Sequence, residues 1–148
     1  MNSRAKVLAG IVFSCMAIGV HAGVYTDDLS KCLVESTTKD DRVSLIRWMF
    51  AAISKHPAVS SLTKVTDADI DKANAATGAL FMKLLTQTCR DATKKALKYE
   101  GGAAIQLSFQ VLGQVAMGDM MSDPNAGGAI AGLEKFVDEK EIVALTDE

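Results

Sequence analysis

Two cysteines constrain this chain more than any other residues, and the first 22 residues decide that there are two. Arg4 and Lys6 open the sequence, an apolar run from Val7 to Val20 follows, and Val20-His21-Ala22 puts small residues at the −3 and −1 positions of a signal-peptidase site. That order of positive, apolar and small-residue segments is the pattern of a secretory signal. The apolar run is shorter than a membrane span and gives way to polar sequence. The expected mature chain is residues 23–148, one helical domain delivered to an oxidising compartment, periplasmic or secreted. Cys15 falls inside the signal, so Cys32 and Cys89 remain as an even pair and are expected to be bonded. Closing a loop of that size restricts the unfolded chain by about 4 kcal/mol on the chain-entropy account. Neither cysteine sits in a C-x-x-C motif or beside a histidine, so the bond reads as a staple and not a redox centre.

Residues 23–148 are enough for one compact domain with a core. With Arg4 and Lys6 gone, the 18 acidic residues leave a net charge of about −4 at neutral pH. An acidic surface argues against sequence-independent nucleic-acid binding and against a polybasic membrane anchor. No integral membrane segment is expected after signal removal. Val12-Phe13-Ser14-Cys15 faintly resembles a bacterial lipid-attachment box, but Phe13 fits that box poorly and the apolar stretch runs on to Val20.

The rest reads as helix. Thr26 is a plausible first cap, with Asp27 and Asp28 in the opening turn and Leu29, Cys32 and Leu33 on one face. Thr38 starts a second helix whose stripe is Val43, Ile46, Met49, Phe50 and Ile53, and which ends at His56-Pro57. Trp48 lies at the edge of that stripe. Thr66-Asp67-Ala68-Asp69 starts a third, running towards Tyr99 with a possible kink near Cys89. Its inward face is expected to be Ile70, Ala73, Thr77, Leu80, Phe81, Leu84 and Thr88. Gly101-Gly102 stops it. A fourth, charge-free helix follows and is expected to be largely buried. Asp123-Pro124 caps a fifth helix that carries Ile130, Leu133, Phe136 and Val137 and loses amphipathic order near Lys140, and Ile142–Leu145 is a short final segment that docks or frays. Strand alternation and hairpin turns are absent. The fold class is all-α, a compact bundle of four to five helices stapled by one disulfide.

Within the charge-free helix, Ile105, Phe109, Leu112 and Ala116 form an apolar face that Leu107, Val111 and Val115 widen. Gln106, Gln110 and Gln114 repeat at i, i+4, i+8, with Gly113 and Met117 in the same sector. This strip is the candidate interface: it is an ordinary solvent face, a neutral surface for a partner, since charges are depleted from interface cores, or a pocket wall presenting amides to a ligand. Other motifs are weaker. Met117, Met120 and Met121 at i, i+3, i+4 are thioethers that could meet copper, but methionine more often fills irregular packing. Asp67, Asp69 and Asp71 imitate a calcium loop that Lys72 and Gly78 then break. Gly128 and Gly132 suit close helix packing. His56 is the single histidine after the signal, no nucleophile elbow or phosphate loop occurs, and no zinc ligand set is available. No catalytic residue, metal or cofactor is assigned. The reading is a non-enzymatic exported binding protein of inhibitor, immunity or adaptor type. Its partner is another protein, or a second copy in a homodimer. The alternative is a carrier of a lipid or other small apolar ligand held between helices.

Overall fold

The computed structural model describes residues 23–145, so the expected signal and Cys15 lie outside the described residues. Within them the chain is all-α, without strands. The body comprises α1 (Val24–Ser36), α2 (Lys39–Ile53), α3 (Asp67–Lys83), α4 (Arg90–Glu100) and α5 (Gly102–Met121). Two short helices, α6 (Pro124–Ala131) and α7 (Glu139–Ala144), follow, with a 3₁₀ turn over Gly132–Phe136 between them. α1 packs on α4 and α5, while α2 packs on α3 and α5. Among the described residues no helix is long and apolar enough to cross a membrane.

The helix starts follow from side-chain chemistry. Thr38 Oγ1 accepts the Asp41 N–H at 3.1 Å while the Asp41 carboxylate accepts the Thr38 N–H at 2.9 Å. Thr66 and Asp69 repeat this reciprocal cap at the start of α3, so each helix satisfies two amides that would otherwise lack acceptors. Hydrogen bonds from Thr38 and Thr66 favour the ionised carboxylates and hold Asp41 and Asp69 below the ordinary carboxylate range. Asp123 caps α6 by accepting the Asn125 and Ala126 amides, with Pro124 in the first turn.

The expected kink is a π-helical turn over Leu84–Thr88, closed by the Cys89 N–H donating to the Leu84 carbonyl at 2.7 Å. A turn of this kind holds one extra residue. The inward positions therefore step from Thr77 to Leu84 at helical spacing, then jump five residues to Cys89 and continue to Thr93 and Ala96. Thr88, expected inside, is exposed for this reason. The jump brings Cys89 to Cys32, with Cα atoms 5.9 Å apart and the two sulfurs bonded. Around the bond, Leu29, Leu33, Leu84 and Leu112 are fully buried, and Ala96, Ala104 and Ala116 let α4 and α5 approach α1 closely.

Thr26 does not cap α1. The helix begins three residues earlier than a Thr26 cap would place it, with Gly23 at a cap position that supplies no side chain. Glu100, from the end of α4, does the capping. Its carboxylate accepts the Tyr25 and Thr26 N–H groups at 2.9 Å each and the Thr26 hydroxyl at 2.5 Å. The Thr26 hydroxyl, with the two amides, holds Glu100 below its ordinary pKa. The carboxylate lies so close to Gly23 that any Cβ there would overlap it. The Thr26 carbonyl in turn accepts Ser30 at 2.7 Å and the fully buried Ser108 at 3.1 Å, joining α1 to α5. Tyr25 stacks on Tyr99 at 4.8 Å beside this network.

Three other expectations are corrected. In α2 the inward side is Leu45, with Trp48 and Met49 partly buried, and Val43, Phe50 and Ile53 face outward. Trp48 decides the rotation: its ring meets Phe81 edge-on, and its indole N–H donates to Asn74 at 2.9 Å. α5 is not largely buried. Ala104, Ser108, Leu112 and Ala116 form one buried seam, with Ile105 and Phe109 partly covered and Phe109 against Phe81. Finally, the fifth expected helix stops at Ala131 as α6, and Ile130, Leu133, Phe136 and Val137 are exposed, with no element packed over them among the described residues.

Two measurements test this account. Reducing the disulfide, or replacing both cysteines with serine, should lower the melting temperature by roughly 10 °C; equal melts would mean that the bond does not restrain the fold. Because Glu100 is depressed in the folded state, its contribution is present above the ordinary glutamate value of 4.5 and is lost as pH falls through the depressed value. Glu100→Gln should therefore be less stable at neutral pH, and its stability should fall less steeply below pH 4.5 than that of the parent.

Candidate functional site

α5 owes its independence to one residue. Gly101 adopts φ +79°, a conformation favourable only to glycine, and it separates α4 from α5 without a longer loop. Gly102, expected to share in stopping the helix, is instead the first residue of α5. With the buried seam at Ala104, Ser108, Leu112 and Ala116, helical geometry puts the opposite side of α5 in solvent. Gln106, Gln110, Gln114 and Met117 all lie there, exposed, with Gly113 half-buried among them. The structure thus brings all five candidate interface residues onto one strip. No charged residue lies between Gly101 and Gly118, so the strip offers amide donors and acceptors on a neutral surface. A Cβ added at Gly113 would meet nothing within 4 Å. The fold itself does not require a glycine there, although glycine in a helix interior costs about 1 kcal/mol relative to alanine.

A second surface feature escaped the sequence reading. The outward rotation of α2 lines two adjoining open grooves of about 720 and 560 Å³ against α3 and α5. Ile46, Arg47 and Met120 belong to both. Phe50, Val65, Ala73 and Ala76 extend the apolar wall, and Phe50 and Ile53 are 56% and 59% exposed. Arg42 closes one end by donating to Asp119 at 2.5 Å and to the Thr37 carbonyl at 2.9 Å. Lys39, Arg47 and Lys72 line the grooves and form no ion pair among the described residues. A wheel of α2 drawn with Trp48 inward would have shown this face; a wheel drawn to maximise the apolar stripe conceals it.

The remaining motifs have local roles. Asp69 serves its cap, and Asp67 pairs with Lys55, whose ammonium holds that carboxyl below its ordinary range. Met120 lines the grooves while Met117 and Met121 are exposed, so the three thioethers do not share one environment. His56 is exposed, and its Nδ1 accepts the Ala58 N–H at 3.2 Å. Open space surrounds the Cβ positions of Gly128 and Gly132. The interior between α1, α4 and α5 is filled by leucine and alanine.

Comparison with protein-family models, with curated proteins and with solved structures gives no match.

The open position at Gly113 makes a direct prediction. Gly113→Ala should raise unfolding stability by roughly 0.5–1 kcal/mol in denaturant titrations. A loss of stability would mean that the helix needs glycine there for its own packing.

Proposed function

We propose that this chain is a small exported, non-enzymatic helical protein that acts by binding another protein through the outer face of α5. The observation that carries this reading is the neutral strip of Gln106, Gln110, Gln114 and Met117 set opposite the buried seam. Covering a surface of amides and thioethers leaves no ionic group stripped of water, which would cost far more than a neutral one unless paired. Gly113 adds a notch at which a partner backbone could approach closely. Inhibitor, immunity and adaptor proteins all act by such contacts, and a second copy is the alternative partner.

Export to the periplasm or beyond is supported by the signal-like order of residues 4–22 and by a disulfide suited to an oxidising compartment. The hydrogen-bonded start of α1 also coincides with the expected cleavage point, since the Asp27 N–H already donates to the Gly23 carbonyl. A binding role is favoured over a catalytic one because Cys32 and Cys89 are consumed in their bond and His56 serves a solvent-exposed turn. A second reading, carriage of a small apolar ligand, draws on the 560 Å³ groove beside Phe50. A retained small mass in native mass spectra of the exported protein would favour it.

The test is a paired substitution, Gln110→Lys with Gln114→Lys. Both positions face solvent, so far-UV circular dichroism should be unchanged. Partners cross-linked to the parent protein in its export compartment should be lost. Recovery of the same partners by the variant would remove α5 as the binding face.

A further inference from the structure

We propose that the C-terminal arm, residues 132–145, docks in the α2–α3–α5 groove of a second copy of this chain, so that two molecules exchange arms. This inference stands apart from the α5 face and rests on different residues.

The arm has an apolar surface with no cover. α7 packs against no other element of the described chain, and the 3₁₀ turn touches α6 alone. Leu133, Phe136, Ile142 and Leu145 are 65%, 85%, 55% and 68% exposed. Isolated exposed leucines are ordinary, but a segment that leaves four large apolar side chains exposed, with its last helix packed on no other element among the described residues, marks an interaction surface.

The groove has complementary polarity and charge. Its apolar floor includes Ile46, Phe50 and Met120. Its acids are already engaged: Asp119 with Arg42, Asp69 with Thr66, and Asp123 with the first amides of α6. Lys39 and Arg47 are left as cations without an acid partner among the described residues, while Lys72 lies close enough to Asp69 to stabilise its charge. The arm supplies the opposite sign, with Glu134, Asp138, Glu139 and Glu141 outnumbering Lys135 and Lys140. Seated in the groove, it would bury its apolar side chains on the floor and bring carboxylates to Arg47 and its neighbours. Each copy owns one arm and one groove, and the groove ends at Ser122–Pro124, where the chain departs into α6. Reciprocal exchange about a two-fold axis therefore uses every arm and every groove and closes the assembly as a dimer.

The experiment is sedimentation of the disulfide-bonded full chain over a concentration series, with two exposed-site variants. The parent should sediment as a dimer. Phe136→Asp in the arm and Arg47→Glu in the groove should each weaken association at least about tenfold, with circular dichroism unchanged. Mixing the two variants should then restore dimer, because the arm of the Arg47→Glu chain still fits the groove of the Phe136→Asp chain. A parent that stays monomeric at every concentration, including one whose arm lies in its own groove, overturns the proposal. So does a dimer that survives both substitutions, or a mixture that fails to recover. A dimer lost only on substitution of Gln110 and Gln114 would place self-association on α5 and likewise exclude arm exchange.

Discussion

The bond from Cys32 to Cys89 ties α1 to the turn where α3 becomes α4, and the arrangement of the other helices depends on that tie. The extra residue in the π turn directs Cys89 inward, and the same rotation carries Thr93 and Ala96 onto α1. With alanine at the contact, α4 lies close enough for its last residue, Glu100, to reach the opposite end of α1. α1 is therefore held covalently near its C-terminus and electrostatically at its N-terminus. α5, turning back at Gly101, packs into the angle that remains.

A helix held in this way presents unusual polar chemistry to the core. The Thr26 carbonyl, which would ordinarily serve only the helix ladder, also accepts two serine hydroxyls, one of them from the fully buried Ser108. A buried hydroxyl without an acceptor would be costly, so Ser108 selects the register of α5 against α1. Once that register is set, the orientation of the rest of α5 is set with it. The glutamine strip faces away from the body for the same reason that Ser108 faces in.

Local chemistry was legible in the sequence wherever a few neighbouring residues decide the outcome. Thr38 with Asp41, Thr66 with Asp69, and Asp123 with Pro124 announce their helix starts, and the cysteine count announces the staple. The phase of α5 could be read because its glutamines are all on one side. What could not be read was partner-dependent. Val43, Phe50 and Ile53 make a good stripe, but Leu45 and Trp48 have the neighbours, and periodicity does not reveal which of two apolar faces finds a mate. The same limitation applies to Leu133 and Phe136, apolar residues over which no element packs among the described residues. The π turn left no signature beyond the cysteine itself, and Glu100 reaches Thr26 across 74 residues of sequence, a separation no local motif encodes. The site follows the same division: the five strip residues were visible as a pattern, whereas Arg47 and Lys72 join one groove only after folding.

The π turn has a consequence for how the length of such a chain can vary. Insertions or deletions between α2 and α3 fall in a surface connection, where added residues change the closure entropy only slightly. Removing one residue between Leu84 and Thr88 would return the helix to ordinary pitch with Cys89 four residues after Leu84 and still inward, whereas removing two would swing everything beyond by about 100°. With two residues gone, Cys89 would leave Cys32, and two free thiols would be open to cross-linking between chains. Any descendant gene that keeps this staple is therefore expected to drift in length before α3 and, after it, to lose at most the one extra residue of the turn.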